Sequence, residues 1–285
     1  MTGLKDPNAL WDFQSLRPET LNLITYMYSD FGIPEGWRHM PGFSIHAYKL
    51  VNSQNKPVFA KFHWITNQGI KNLDVDTAAQ LRGTDPDYAR RDLFEAISGH
   101  RYPSWTLKMQ VITEQEAKKF DFNPFDATKI WSTDKYPLLE IGVMTLNRNP
   151  ANFFAEVEQI AFCPANMVPG IEPSPDLLLA GRMFSYADTQ RYRLGTNHHL
   201  LPVNKARNRV MAPTQRDGAM RSDDNMGSHP NYYPNSFSDA RDNQNMLESN
   251  FTVAADKGSE NVVFRYDDKD DRNYDQPREL YNSFT

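Results

Sequence analysis

Residues 174–195, SPDLLLAGRMFSYADTQRYRLG, constrain this chain more than any other stretch. They read as one helix with both ends marked. Ser174 suits the cap of a first turn, and Pro175 sits where a missing N–H costs nothing. Asp176 places negative charge at the positive end of the helix dipole. Gly195 suits the turn that stops the helix. Between these ends Arg182, Tyr186, Thr189 and Arg193 recur at intervals of four, three and four, which stacks them on one face. Leu177, Leu178, Met183 and Phe184 supply apolar surface elsewhere. A polar stripe of this kind ordinarily faces water. The pair Arg182–Tyr186 carries a sharper reading. A guanidinium one turn before a phenol favours the phenolate, and a phenolate is a hard anionic ligand suited to ferric iron.

The rest of the chain mixes strands and helices. The spacing predicts a helix over 15–31, opened by Ser15 or by Arg17-Pro18-Glu19 and closed by Gly32 and Pro34. Strands follow at 43–51 and 57–65, joined by the polar turn Asn52 to Asn55. In the first, Phe43, Ile45 and Ala47 alternate with Ser44, His46 and Tyr48. Helices are expected near 75–82 and 86–98, strands near 104–112 and 138–147, and a helix near 151–161. No regular βαβ alternation is present, so a parallel doubly wound sheet is not expected. From 202 onward the chain is rich in Asn, Asp, Arg, Pro and Gly. Order is expected through about Phe237, where NYYPNSF supplies aromatic anchors, and the run Asp267 to Asp271 reads as a solvated acidic patch.

Composition excludes several classes of function. A net charge of −5 argues against nucleic acid or an anionic membrane as the main partner. No apolar run approaches the ~20 residues that span a bilayer. Cys163 is the only cysteine, so neither an internal disulfide nor a cysteine metal cluster can form. The N-terminal residues carry no apolar signal core, and NSFT is not a peroxisomal Ser-Lys-Leu address. An intracellular location, cytoplasmic or peroxisomal, is expected. The adjacent His198 and His199 do not suit one metal ion on a rigid element. Nucleophile elbow, P-loop and dinucleotide glycine signatures are lacking.

The segment RMFSYADTQRYRLG resembles the haem-ligand signature of the monofunctional haem catalases. WDFQSLRPE, RHMPGFSIHAYK, KFHW, NQGIKNL, FNPFDATKIW, LNRNPANFFAEVEQIAF, MVPGIEPSPD, QRDGAM and NYYPNSF extend the likeness over roughly residues 4–240. The resemblance implies an α+β fold: part of an antiparallel catalase-type β-barrel with inserted helices, followed by an irregular wrapping segment. Residues 1–148 would form the second half of the barrel, 149–240 the wrapping segment with the ligand helix, and 241–285 a polar C-terminal segment.

By the same resemblance Tyr186 matches the axial iron ligand, a mode of haem ligation established for catalase. Arg182 matches the arginine that holds it as phenolate. His46 and Asp176 match the partners that extend this arginine into a buried charge relay. On its own, a histidine on a strand is most often a hydrogen-bonded core residue, and Asp176 can serve the helix start and the relay together. Arg193 matches an arginine that neutralises a haem propionate, and Phe162 and Leu178 would line the pocket. The family's distal His and Asn match no residue of this chain, so no catalytic acid or base is assigned here, and the family's C-terminal helical region has no counterpart either. Of the positions that hold a nicotinamide cofactor in some members, Ser29, His63 and Trp131 are kept. Asn22, Phe31, Pro41 and Ile65 depart from the His, Arg, Asn and Lys of the binding members, so tight NADPH binding is not expected.

Three functions follow as alternatives. The first is a catalase that decomposes hydrogen peroxide on ferric haem, a homotetramer as in the family. The second is an inactive relative that binds haem or forms oligomers. The third, prompted by the polar tail, is an interaction protein without haem.

Overall fold

Local chemistry breaks the first helical stretch in two. The computed structural model describes residues 3–208, 210, 212–237 and 271–284. In it Pro7–Leu16 forms α1 and Leu21–Met27 forms α2. Asp6 caps α1 by accepting the Asn8 N–H at 2.9 Å, with Pro7 in the first turn. The ring of Pro18 crowds the residue before it out of helical geometry. Arg17 accordingly takes φ −127° and ψ 80°, and one 3-10 turn, Pro18–Thr20, separates the helices. The single helix expected over 15–31 is therefore corrected: it starts earlier, at Pro7, and is interrupted at Arg17.

Six strands among the described residues form one curled antiparallel sheet. They are β1 (Gly42–Phe43), β2 (Tyr48–Val51), β3 (Pro57–Thr66), β4 (Ser104–Thr113), β5 (Leu139–Thr145) and β6 (Ile171–Pro173). The order is β5-β4-β3-β2-β6, and β1 also pairs with β3. The turn between β2 and β3 is closed by Asn52, whose side-chain oxygen accepts from Gln54 and Lys56 at 3.0 and 2.9 Å. Helices α3 (Val75–Thr84) and α4 (Tyr88–Ser98) are inserted between β3 and β4, close to the expected spans. Glu114–Ala117 (α5) follows β4 on a reciprocal Thr113–Glu116 capping box.

The register of β3 on β4 places Phe59 opposite Ile112 and Lys61 opposite Gln110, on one face of the sheet. Residues 120–136 cover that face. The Phe59 and Phe125 rings meet at 4.6 Å, and Phe120 stacks on Tyr136 at 5.1 Å. The Trp131 ring is fully buried and its Nε1–H donates to Pro124 O at 3.0 Å. Gln110 donates to the carbonyls of Trp131 and Tyr136 at 3.2 and 2.7 Å, so a buried amide ties the cover to the sheet.

Two further expectations need correction. The helix expected over 151–161 is a single π-helical turn, Phe154–Glu158. The Glu156 carboxylate turns back to accept from Ala151 and Asn152 at 2.7 and 2.8 Å, and Arg193 draws off the carbonyls of Glu158 and Ile160, so the turn has no continuation. Helix α6 runs Leu177–Leu194, capped by Asp176 rather than Ser174. Asp176 directly precedes the first helical residue, so its carboxylate accepts the Leu179 N–H at 3.0 Å, whereas the Ser174 hydroxyl, two residues further out, accepts the Asp176 N–H at 3.4 Å.

The chain divides into two compact units, Met1–Ser249 and Asn250–Thr285. Of the second, residues 271–284 are described: a 3-10 turn and the helix Asp275–Asn282 (α7). Residues 241–270 of the polar C-terminal segment expected at 241–285, and most of the acidic run from Asp267, lie outside the described residues. Among the described residues, no helix is long and apolar enough to cross a membrane.

Candidate functional site

Four side chains from two distant parts of the sequence form one hydrogen-bonded line. Asp176 at the start of α6 has two carboxylate oxygens with separate tasks. Oδ1 caps the helix, and Oδ2 lies 2.6 Å from Nδ1 of His46. On the other side of the ring, Nε2 lies 2.7 Å from Nη1 of Arg182. The Arg182 Nη2–H donates to the Tyr186 hydroxyl at 3.1 Å. The His46 and Asp176 side chains are 1% and 2% exposed, so this contact has no competition from water.

The geometry fixes the tautomer. A guanidinium has donors and no acceptor. His46 Nε2 must therefore accept from Arg182, which leaves the ring proton on Nδ1, donated to Asp176. The imidazole is neutral and sits between a carboxylate and a guanidinium, passing the polarisation of one toward the other. At the far end the Tyr186 oxygen accepts a charge-assisted bond from the guanidinium. The Arg182 guanidinium also lies 5.3 Å from the centre of the Tyr186 ring. Arg182 and Tyr186 are both half-buried, so the phenol is not out in bulk water.

The strand expected over 43–51 does not run through His46. β1 ends at Phe43 and β2 begins at Tyr48, and both pair with β3. Between them Ile45 takes φ 60°, and the His46 N–H donates to Ser44 O at 2.6 Å, closing a γ-turn. Strict alternation would have placed Ile45 with Ala47. Instead Ile45 is exposed while His46 and Ala47 are both buried. The break turns the imidazole inward, toward Asp176.

Of the remaining expected site residues, Leu178 and Arg193 lie on the same helix, and Phe162 lies on the irregular segment before it. Leu178, Arg182 and Tyr186 follow one another at intervals of four on α6. Leu178 is exposed, and Phe162 is 70% exposed. The Phe162 carbonyl accepts from Gln190 Nε2 at 3.1 Å, which anchors the Phe162 backbone one turn beyond Tyr186. Arg193 donates to Glu158 O and Ile160 O, both at 2.6 Å, and to Gln190 Oε1. Its guanidinium thus joins α6 to the π-helical turn. Gln190, buried at the centre of these contacts, is a residue the sequence reading missed; its position four residues after Tyr186 was the available signal.

Ser29, His63 and Trp131, the positions that the resemblance associates with a nicotinamide cofactor, each have a local partner. The Ser29 hydroxyl accepts the Phe31 N–H at 3.3 Å. His63 Nε2 meets Gln110 Oε1 at 3.0 Å, and burial pushes its imidazole below the usual range, with the Gln110 bond opposing and the Lys61 charge reinforcing. The Lys61 ammonium donates to Lys129 O at 2.9 Å and lies 5.2 Å over the Trp131 ring; burial lowers its pKa. The His198 and His199 rings meet edge to face at 5.9 Å, and burial lowers the pKa of His199. Among the described residues, no group of three or more His, Cys, Asp or Glu side chains is placed to hold a metal ion.

A sequence profile described as Catalase matches residues 1–239. The chain is similar to catalases of Glandirana rugosa, at 52% identity over 280 residues, and of Cavia porcellus, at 54%. Each alignment covers 98% of this chain and 52% of the relative. Among solved structures, it is similar to a fungal catalase, covering 99% of this chain and 56% of the other at a TM-score of 0.84 and 39% identity. Catalase A from Saccharomyces cerevisiae gives the same TM-score and identity, covering 99% of this chain and 58% of its own. The chain thus spans about half the length of the curated relatives it matches. The half-barrel and inserted helices agree with the α+β architecture expected from the sequence, and the profile match over most of the length shows that this chain belongs to the catalase family.

Proposed function

We propose that this chain forms the proximal side of a haem catalase that decomposes hydrogen peroxide to water and oxygen, in which the Tyr186 oxygen would hold ferric iron. The observation that carries this reading is the unbroken line Asp176–His46–Arg182–Tyr186. The donor set fits the group. A phenol oxygen that accepts one N–H keeps lone-pair density for a metal, and its position on α6 lies between exposed apolar side chains suited to a porphyrin face.

Each residue has a separate task. Arg182 holds negative charge on the Tyr186 oxygen. Neutral His46 fixes the plane of the guanidinium, and Asp176 fixes the tautomer of His46. Phe162 and Leu178 would exclude water from one side of the macrocycle. Arg193 would place positive charge near a propionate while it secures the π-helical turn. Bound haem would supply the two-electron redox chemistry of peroxide. Moving a proton between the peroxide oxygens requires a positioned acid–base group on the opposite face, a contribution of roughly 10²–10⁴-fold. The proximal relay here is not aimed at that proton, so the distal His and Asn of the family are the groups to complete the site. A homotetramer, an intracellular location and the lack of tight NADPH binding remain part of this proposal.

The test is haem reconstitution with an absorption spectrum and a peroxide-consumption assay on one sample. A tyrosinate-to-iron band that disappears in Tyr186→Phe supports the ligand assignment. An unchanged band in that variant refutes it. Oxygen evolution that stays absent even when a segment carrying the family's distal His and Asn is supplied selects the second reading, a haem-binding relative.

A further inference from the structure

The Ser44 hydroxyl stands where the sheet ladder breaks beside His46. In a regular antiparallel pair, Ser44 and Phe62 would exchange two backbone bonds. One is present: the Ser44 N–H donates to Phe62 O at 2.9 Å. The return bond is absent: the γ-turn at Ile45 directs Ser44 O to the His46 N–H, which it accepts at 2.6 Å, and away from the ladder. The Phe62 N–H donates instead to Ser44 Oγ at 3.0 Å. The same hydroxyl donates its proton to His46 O at 2.8 Å. One side chain therefore replaces a missing ladder acceptor and grips the carbonyl of the relay histidine.

The turn it secures is strained. Ile45 is β-branched, and its φ of 60° lies in a region such residues rarely occupy. Left to itself the segment would relax toward extended backbone, which would carry the His46 ring away from the line between Asp176 and Arg182. Two hydroxyl bonds, one to β3 and one to His46, oppose that relaxation. Alanine in place of Ser44 would leave the Phe62 N–H without its acceptor and free the His46 carbonyl.

We propose that Ser44 is a positioning residue for the proximal relay: its hydroxyl holds the γ-turn at Ile45 in the form that aims His46 at Asp176 and Arg182. The role of the relay toward haem rests on the function proposed above, whereas the aiming of His46 does not. Ser44 acts through His46 and touches neither Arg182 nor Tyr186 in any hydrogen bond given by the structure.

Two measurements on the intact protein separate these levels. The first, without haem, follows the Nδ1 proton of His46 by ¹⁵N-histidine NMR, in wild type, Ser44→Ala and Ser44→Thr. Wild type and Ser44→Thr, which keeps the hydroxyl, should show a downfield, slowly exchanging proton. Ser44→Ala should lose it to exchange. The second adds hemin and reads affinity and the tyrosinate band. Loss of a hydrogen bond's net contribution corresponds to roughly two- to tenfold weaker hemin binding in Ser44→Ala, restored by Ser44→Thr. A Ser44→Ala protein that keeps the wild-type His46 proton overturns the proposal, as does a Ser44→Thr protein that fails to restore it. If the NMR result holds while wild type gives no tyrosinate band, the iron assignment fails and the role of Ser44 stands.

Discussion

Replacing Asp176 by asparagine sets the two tasks of one side chain against each other. The carboxylate accepts the Leu179 N–H on Oδ1 at 3.0 Å and the His46 Nδ1–H on Oδ2 at 2.6 Å. An amide has one oxygen. If that oxygen keeps the helix cap, the NH₂ group faces the Nδ1–H of His46. The ring can escape only by moving its proton to Nε2, where it then faces the Nη1–H of Arg182. If the oxygen keeps His46, the NH₂ group faces the Leu179 N–H and the cap is lost. A cap is worth roughly 0.5–2 kcal/mol, and a hydrogen bond to a charged group roughly 1.5–3 kcal/mol. Since the site is buried, the group left facing a donor also bears its desolvation cost. The expected loss is about 3 kcal/mol, within roughly 2–5 kcal/mol. In urea, with an m-value of about 2–3 kcal/mol/M, the midpoint should fall by roughly 1–1.5 M at unchanged m. A double-mutant cycle with His46→Gln should show coupling above about 1 kcal/mol, because the two residues share one bond. A loss below about 1 kcal/mol, or additive effects, would refute the reasoning that one carboxylate serves both the helix cap and the relay.

Arg182→Lys should weaken hemin binding by roughly tenfold or more, because one ammonium cannot span His46 and Tyr186 as the planar fork does; equal affinity by titration would count against the relay. His63 gives a pH prediction. Its folded pKa lies below the ordinary 6.5, so below that pH the unfolded chain binds more protons than the folded one. Stability should therefore be full above about pH 6.5 and decline as pH falls, and His63→Gln should flatten part of that slope, with His199 contributing in the same direction. Chemical denaturation between about pH 5 and 7 measures it, and an unchanged slope in the variant sinks the assignment. Ile45→Gly should cost far less than an ordinary strand substitution, because relief of about 1–3 kcal/mol of backbone strain offsets the added freedom of the unfolded chain; a loss above about 2 kcal/mol would show that the turn is unstrained. Isothermal titration with NADPH should give no micromolar affinity, since Phe31 and Ile65 stand where cations would be needed.

Much of this protein was legible in the sequence wherever the cause is local. The polar turn at Asn52, the strands on either side of it, and the stop at Gly195 follow from residues within a few positions of one another. So does the stacking of Arg182 on Tyr186, which four-residue spacing dictates. The failures share the opposite character. Alternation across 43–51 could not reveal the γ-turn at Ile45, because the acceptor that makes the break tolerable belongs to Ser44 acting across the sheet on Phe62. The helix expected over 151–161 is cut to one π-helical turn by Arg193, a residue more than thirty positions later. His46 lies 130 and 136 residues from its partners Asp176 and Arg182. Composition and periodicity determine which side chains a helix or strand presents; only the packing of α6 against the broken strand decides which buried donor meets which buried acceptor, because removal from water forces each to find a partner however far away in the chain.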